Sequence, residues 1–205
     1  MKKEIRTFNF EVRAEQNEEH GHYLTGQPIV FDQRTNLGWY DEIIESGALV
    51  NTDLRDVRFL VNHNTDMIPL ARSRNNNANS TMQFEVVDTG MNMRADVDTE
   101  NNVDARSLYS AVERGDISGM SFMFTVKDDA WDDIDSDHPT RHVRAIDKIF
   151  EVSAVTFPAY EATSIQARGL SEALESAKES LESAKAEKRE IELAKAKLRF
   201  HMEES

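Results

Sequence analysis

The chain has 205 residues, 39% of them hydrophobic and 30% charged, with 8 Gly and 4 Pro. That mixture suits one packed domain with an appendage and excludes a wholly disordered or collagen-like polymer. Its net charge of -14, from 24 basic and 38 acidic side chains, opposes the counterion-release attraction that underlies general nucleic-acid binding.

Cysteine is absent, which removes disulfides, thiolate metal sites, iron-sulfur clusters and a thiol nucleophile together. No apolar run approaches the roughly 18 residues of a membrane-spanning helix, and Met1-Lys2-Lys3-Glu4 leads into alternation rather than a signal-peptide block. A soluble, unexported protein is expected, with no cofactor, nucleic-acid or membrane partner.

Residues 5–13 alternate apolar and polar side chains with period two and predict a half-buried strand. The polar, acidic stretch 15–22 reads as a hairpin connection to a second strand over residues 23–31. Further strands are predicted over 57–61, 82–87 and 91–97, the last two joined across the turn signal Asp88-Thr89-Gly90. Between 101 and 114 the period lengthens: Val103, Leu108, Ala111 and Val112 fit a helix, with Thr99 as its cap and Gly115 at its end. A strand over 120–126, a very polar link over 128–141 and a last strand over 143–157, stopped at Pro158, complete the body. The expected class is α+β: a mainly antiparallel or mixed, barrel-like β body with flanking helices and a C-terminal coiled-coil-like helix.

The expected division is 1–167 for the body and 168–205 for a helical tail. In the tail, Leu174-Glu175-Ser176-Ala177-Lys178 recurs as Leu181-Glu182-Ser183-Ala184-Lys185, a period of seven. Leu170, Leu174, Ala177, Leu181, Ala184, Ile191 and Leu198 form a heptad seam that Lys188 and Lys195 interrupt. Such a helix either pairs with a partner helix or lies solvated or docked on the body.

Three segments carry chemistry. The apolar strand Phe59-Leu60-Val61 delivers His63 into a polar run, and an imidazole so mounted can take a proton from a hydroxyl and return it to an amine at neutral pH. Ser121 opens the apolar run Phe122-Met123-Phe124 just after Gly119-Met120, a place for a hydroxyl nucleophile. Glu151 lies within an otherwise apolar strand, where an unpaired charge costs several kcal/mol, so it needs a partner such as an imidazole, Lys or Arg. By residue type alone, each also has a structural explanation: a hydrogen-bonded loop histidine, a strand-opening serine, an edge salt bridge. His20, His22 and His201 are expected to be exposed. The acidic run Asp128-Asp129-Ala130-Trp131-Asp132-Asp133 offers a metal-dependent hydrolase as a minor alternative.

In order and context these segments resemble the prohead maturation proteases of tailed bacteriophages, serine peptidases related in fold to the herpesvirus assemblins. The resemblance also takes in Leu24-Thr25-Gly26-Gln27-Pro28-Ile29-Val30-Phe31, Glu42-Ile43-Ile44-Glu45-Ser46-Gly47-Ala48, Arg114-Gly115-Asp116-Ile117-Ser118-Gly119 and Pro158-Ala159-Tyr160. It implies His63 as general base, Ser121 as nucleophile and an acyl-enzyme. Glu151 is the expected third member, with His142 and then Asp147 in reserve because the assemblins use a second histidine there. Arg141 or Arg144 would assist the oxyanion by the same analogy. Where the family has a Gly-Arg pair after the histidine, this chain reads Leu70-Ala71-Arg72.

The resemblance further implies a virion-maturation endopeptidase acting in the host cytoplasm inside the immature capsid. Its expected partners are the major capsid protein with its scaffold segment, the protease itself as a substrate, and a second copy through the tail. The competing reading is a non-enzymatic capsid-assembly scaffold in which the β body is a binding module.

Overall fold

The computed structural model describes residues 2–8, 12–18, 21–156 and 164–203. In chain order it contains β1 (Glu4–Phe8), β2 (Arg13–Asn17), β3 (Gly21–Val30), β4 (Thr35–Asn36), β5 (Asp41–Ile44), β6 (Asp56–Val61), β7 (Ala71–Arg74), β8 (Met82–Val87) and β9 (Gly90–Asp96). These are followed by α1 (Val103–Glu113), β10 (Gly119–Asp132), β11 (Thr140–Val155) and α2 (Ser164–Glu203).

Among the described residues the strands form two sheets. The larger runs β1-β10-β11-β5-β4, with β6 on β11 and β7 on β6; the smaller runs β2-β3-β9-β8. The alternating apolar side chains dictate their stacking: Phe122 and Phe124 from one sheet and Leu24, Ile29, Met91 and Met93 from the other share one buried core. The sheets stay open, so the barrel-like body is corrected to a two-sheet α+β arrangement. A sheet that does not close leaves an unpaired edge to be covered, and α2 packs along the edge strand β1.

Other expectations change with long-range pairing. The single strand expected over 5–13 is two strands in different sheets: β1 pairs with β10, whereas β2 pairs with β3. β2 runs from the end of that expected strand into the expected connection, because it is a mostly exposed edge strand with little apolar face to announce it. The polar link over 128–141 is largely the extended end of the β10–β11 hairpin, where Trp131 stacks on Trp39 at 5.8 Å. β4, β5 and β7 were not anticipated. Residues 9–11, 19–20 and 157–163, including the Pro158 stop, lie outside the described residues.

α1 buries Ala105, Leu108 and Val112 on one face and is capped by Asn102, whose side chain accepts from the amides of Asp104 and Ala105. Thr99, the expected cap, instead meets Nδ1 of His22 at 2.8 Å. His22 is therefore half-buried, with its ring edge-on to Tyr109, rather than exposed.

α2 docks through one stripe, Ala173, Ala177 and Leu181, all buried. Beneath it Arg6 and Arg141 are enclosed with Glu4 and Glu42. Arg6 donates to Glu4 at 2.6 Å and to both Glu42 oxygens, while Arg141 reaches Glu4 at 2.8 Å and Asp129 at 2.6 Å. Ser176 donates to Glu4 and Ser180 to Asp129, each at 2.8 Å. Burial, opposed by the surrounding positive charge, pushes the Tyr40 hydroxyl beside this cluster up to about 12. Beyond Lys188 the stripe continues exposed, with Ile191 and Leu198 in solvent. The docked reading of the tail thus describes its first half, and the heptad seam of its second half is exposed. Ala177→Leu overfills the docking contact and is expected to cost about 1–3 kcal/mol in urea unfolding.

Candidate active site

β6 and β10 flank β11, so the three segments singled out in the sequence become neighbours in one sheet. Ser121 lies directly opposite Ser153 across the β10–β11 ladder, and Met123 lies opposite Glu151. On the other side of β11, Leu60 pairs with Ser153 and Arg58 with Glu151. Side chains alternate along a strand, so Ser121, Ser153 and Glu151 face the same way. Next to Glu151 the ladder shifts register between Met123 and Phe124, the kind of irregularity that re-aims a side chain.

The chain leaves β6 through Asn62 and His63, both with left-handed backbone, φ 51° and 56°. Each non-glycine residue there costs about 1–2 kcal/mol, and persists only where its surroundings over-determine it. Here they do. Asn62 donates its amide to the Ala154 carbonyl at 3.0 Å, and its side chain exchanges two hydrogen bonds with Thr156. The His63 amide donates to Ser153 Oγ at 3.1 Å, and Asn64 N donates back to Val61 O. The strained turn swings the imidazole over the sheet, where its side chain is 1% exposed.

His63 Nδ1 lies 2.5 Å from Glu151 Oε1, while the other carboxylate oxygen accepts from Ser153 Oγ at 2.5 Å. Glu151 is 2% exposed. A carboxylate so held accepts the proton of Nδ1, leaving Nε2 as the basic nitrogen, and His63 Nε2 is buried with no hydrogen-bond partner among the described residues. Ser121 is fully buried. Its hydroxyl donates to the Arg6 carbonyl at 2.8 Å and accepts from Thr7 Oγ1 at 2.9 Å. The structure therefore joins His63 to Glu151 directly and brings Ser121 to the strand position across from Ser153. It does not form the His63–Ser121 hydrogen bond. Thr7 touches Ser121, and Ser153 touches both Glu151 and His63; sequence reasoning gave neither a role, and the one hint was that Ser153 lies two residues from a carboxylate in an apolar strand.

A buried imidazole with one nitrogen committed to a carboxylate and the other free, one strand away from a buried serine, is an arrangement suited to acyl transfer. The family profile described as caudovirus prohead serine protease matches residues 8–179. The chain belongs to that family. No curated protein and no solved structure matches it.

In this member of the prohead serine protease family, the reserve candidates for the third position lie elsewhere. His142 faces Glu45 and Asp132, at 3.1 and 3.3 Å, and Asp147 accepts weakly from Thr125. Arg141 is consumed by Glu4, Glu42 and Asp129, which corrects its expected role at the oxyanion, and Arg144 is exposed. The acidic run spends Asp129 on Arg141 and Ser180. Among the described residues no cluster of His, Asp and Glu has the arrangement of a metal site. A groove of 740 Å³ opens on the smaller sheet, lined by Arg13, Gln27, Phe84 and Arg94. It contains none of the three candidate residues, which are enclosed rather than set in an open cleft.

Proposed function

We propose that this chain is the capsid-maturation endopeptidase of a tailed phage, cleaving the scaffold segment of the major capsid protein, and itself, inside the immature capsid in the host cytoplasm. Residues 1–167 are the protease domain and 168–205 the tail. The observation that carries this reading is the free, buried His63 Nε2 whose ring is oriented by Glu151. Family membership supplies the serine peptidase class.

In the proposed reaction Ser121 Oγ leaves the Arg6 carbonyl, turns toward His63 and attacks the scissile carbonyl carbon while its proton passes to His63 Nε2. The imidazolium that forms is stabilised at Nδ1 by Glu151. Nε2 then returns the proton to the departing amine nitrogen, the C–N bond breaks, and an ester joins the acyl group to Ser121. Water repeats the sequence: it loses a proton to His63, attacks the ester carbon, and Ser121 recovers the proton as the acid product leaves.

The exposed second half of α2 supports a tail that engages a scaffold helix or a second copy through Ile191 and Leu198, since its seam runs on from the docked stripe. The test is prohead assembly from coat protein with the wild-type chain or with Ser121→Ala. Shortening of the coat protein by the wild type alone is expected. Equal shortening by both chains removes Ser121 as nucleophile, and none by either removes the peptidase reading.

A further inference from the structure

We infer that Ser153 is a positioning residue of this site: a single hydroxyl that ties the backbone of the general base to the carboxylate that orients it. The inference rests on the peptidase reading above and adds a residue to it.

Ser153 is fully buried and its hydroxyl has one proton to give. That proton goes to Glu151 Oε2 at 2.5 Å, while a lone pair of the same oxygen takes the His63 amide at 3.1 Å. Both of these hydrogen bonds go to the base and its partner. Two consequences follow from the geometry. The carboxylate, held at Oε2, keeps Oε1 aimed at His63 Nδ1 rather than rotating between rotamers. The His63 backbone, in a left-handed conformation that L-residues avoid, is pinned at the amide whose position sets where the ring projects.

Ser153 also fixes where the serine meets this pair. It is the residue directly opposite Ser121 on the neighbouring strand, and cross-strand Cβ atoms lie about 4.5–5.5 Å apart. The side chain that spaces base and carboxylate is therefore mounted on the position that faces the nucleophile. Hydrogen-bond partners that orient a metal-ligating histidine typically contribute about 10- to 100-fold to affinity or activity, and an orienting role of the same kind at His63 is expected to carry a similar factor.

The test compares Ser153→Ala, and the shape-matched pair Ser153→Thr and Ser153→Val, on a peptide spanning the coat-protein cleavage point, with each variant's fold checked by circular dichroism. Ser153→Ala and Ser153→Val are expected to lower kcat about 10- to 100-fold with KM within about twofold, and Ser153→Thr, which returns the hydroxyl, to recover most of the loss. On a Glu151→Gln background, Ser153→Ala should cost less than it does in the wild type, because the share of its effect that passes through the carboxylate is already lost and the hydrogen bond to the His63 amide remains.

Should Ser153→Ala fail to fold, the Thr and Val variants decide alone, since they differ in the hydroxyl and not in shape. Full kcat in Ser153→Val, or a full second loss on the Glu151→Gln background, overturns the positioning role. If that happens while Ser121→Ala is inactive, the peptidase reading stands without Ser153; if Ser121→Ala is active, the peptidase reading falls first.

Discussion

Glu151→Gln is expected to lower kcat for peptide hydrolysis about 10⁴-fold, and Ser121→Ala about 10⁶-fold, with the fold intact in both. The serine variant loses the nucleophile. The glutamine variant keeps shape and volume but reverses a hydrogen bond. Ser153 Oγ donates to one oxygen of Glu151, so the amide oxygen of glutamine takes that position and the NH₂ group faces His63 Nδ1. A donor there obliges Nδ1 to accept, which moves the ring proton to Nε2. The nitrogen that should receive the Ser121 proton then already carries one. The loss should appear in kcat with KM little changed, because nothing at the substrate is altered, and circular dichroism should be unchanged. More than about a tenth of wild-type kcat in Glu151→Gln would show that His63 does not depend on this carboxylate.

Arg141→Ala is expected to reduce the unfolding free energy by about 3–5 kcal/mol, the usual cost of removing one partner from a buried ion pair. Arg141 is 1% exposed and joins Glu4, Glu42 and Asp129; without it Glu4 and Glu42 share the single charge of Arg6. The same cluster sets a pH dependence. Burial by itself would raise the Glu4 carboxyl, but the charges of Arg6 and Arg141, with hydrogen bonds from Arg141 and Ser176, outweigh it and hold that group below its ordinary 4.5. A carboxyl depressed by folding contributes stability that is complete above the unfolded value and is lost as pH falls through the lower folded value. The wild type should therefore lose stability on acidification below 4.5, and Arg141→Ala, with less depression to lose, should show a shallower decline. Urea unfolding at neutral pH and through the acid range measures both. An unchanged midpoint at neutral pH, or identical acid slopes, would contradict this account of the cluster.

The residues of the site were legible to different degrees, for physical reasons. His63 stood out because an apolar run ended on it, and Glu151 because a carboxylate inside an apolar strand must have a partner. Neither fact says that each is the other's partner. They are 88 positions apart and meet because β6 adds to β11 in parallel, a pairing that no local pattern encodes. Ser153 and Thr7 carry no signal of their own, since a buried serine or threonine is ordinary in a strand and acquires meaning from what lies across the ladder. β2 was missed because Ala14 is its one partly buried residue and sets no apolar period, and the polar link over 128–141 because charges on a hairpin arm look like a loop until the opposite arm is seen.

The sequence alone determined the composition class, the alternating strands of the core, the helical period of α1 and α2, and the order of the motifs that mark the family. These are local properties: side-chain alternation, turn chemistry and heptad spacing are written in adjacent residues. Tertiary structure decided which strands share a sheet, that two open sheets replace a barrel, that the first half of α2 lies over the cluster around Arg6 and Arg141, and that the Ser121 hydroxyl rests on the Arg6 carbonyl. Those outcomes depend on burying surfaces contributed by distant segments at once, and the energy of that burial is a property of the pairing rather than of either segment.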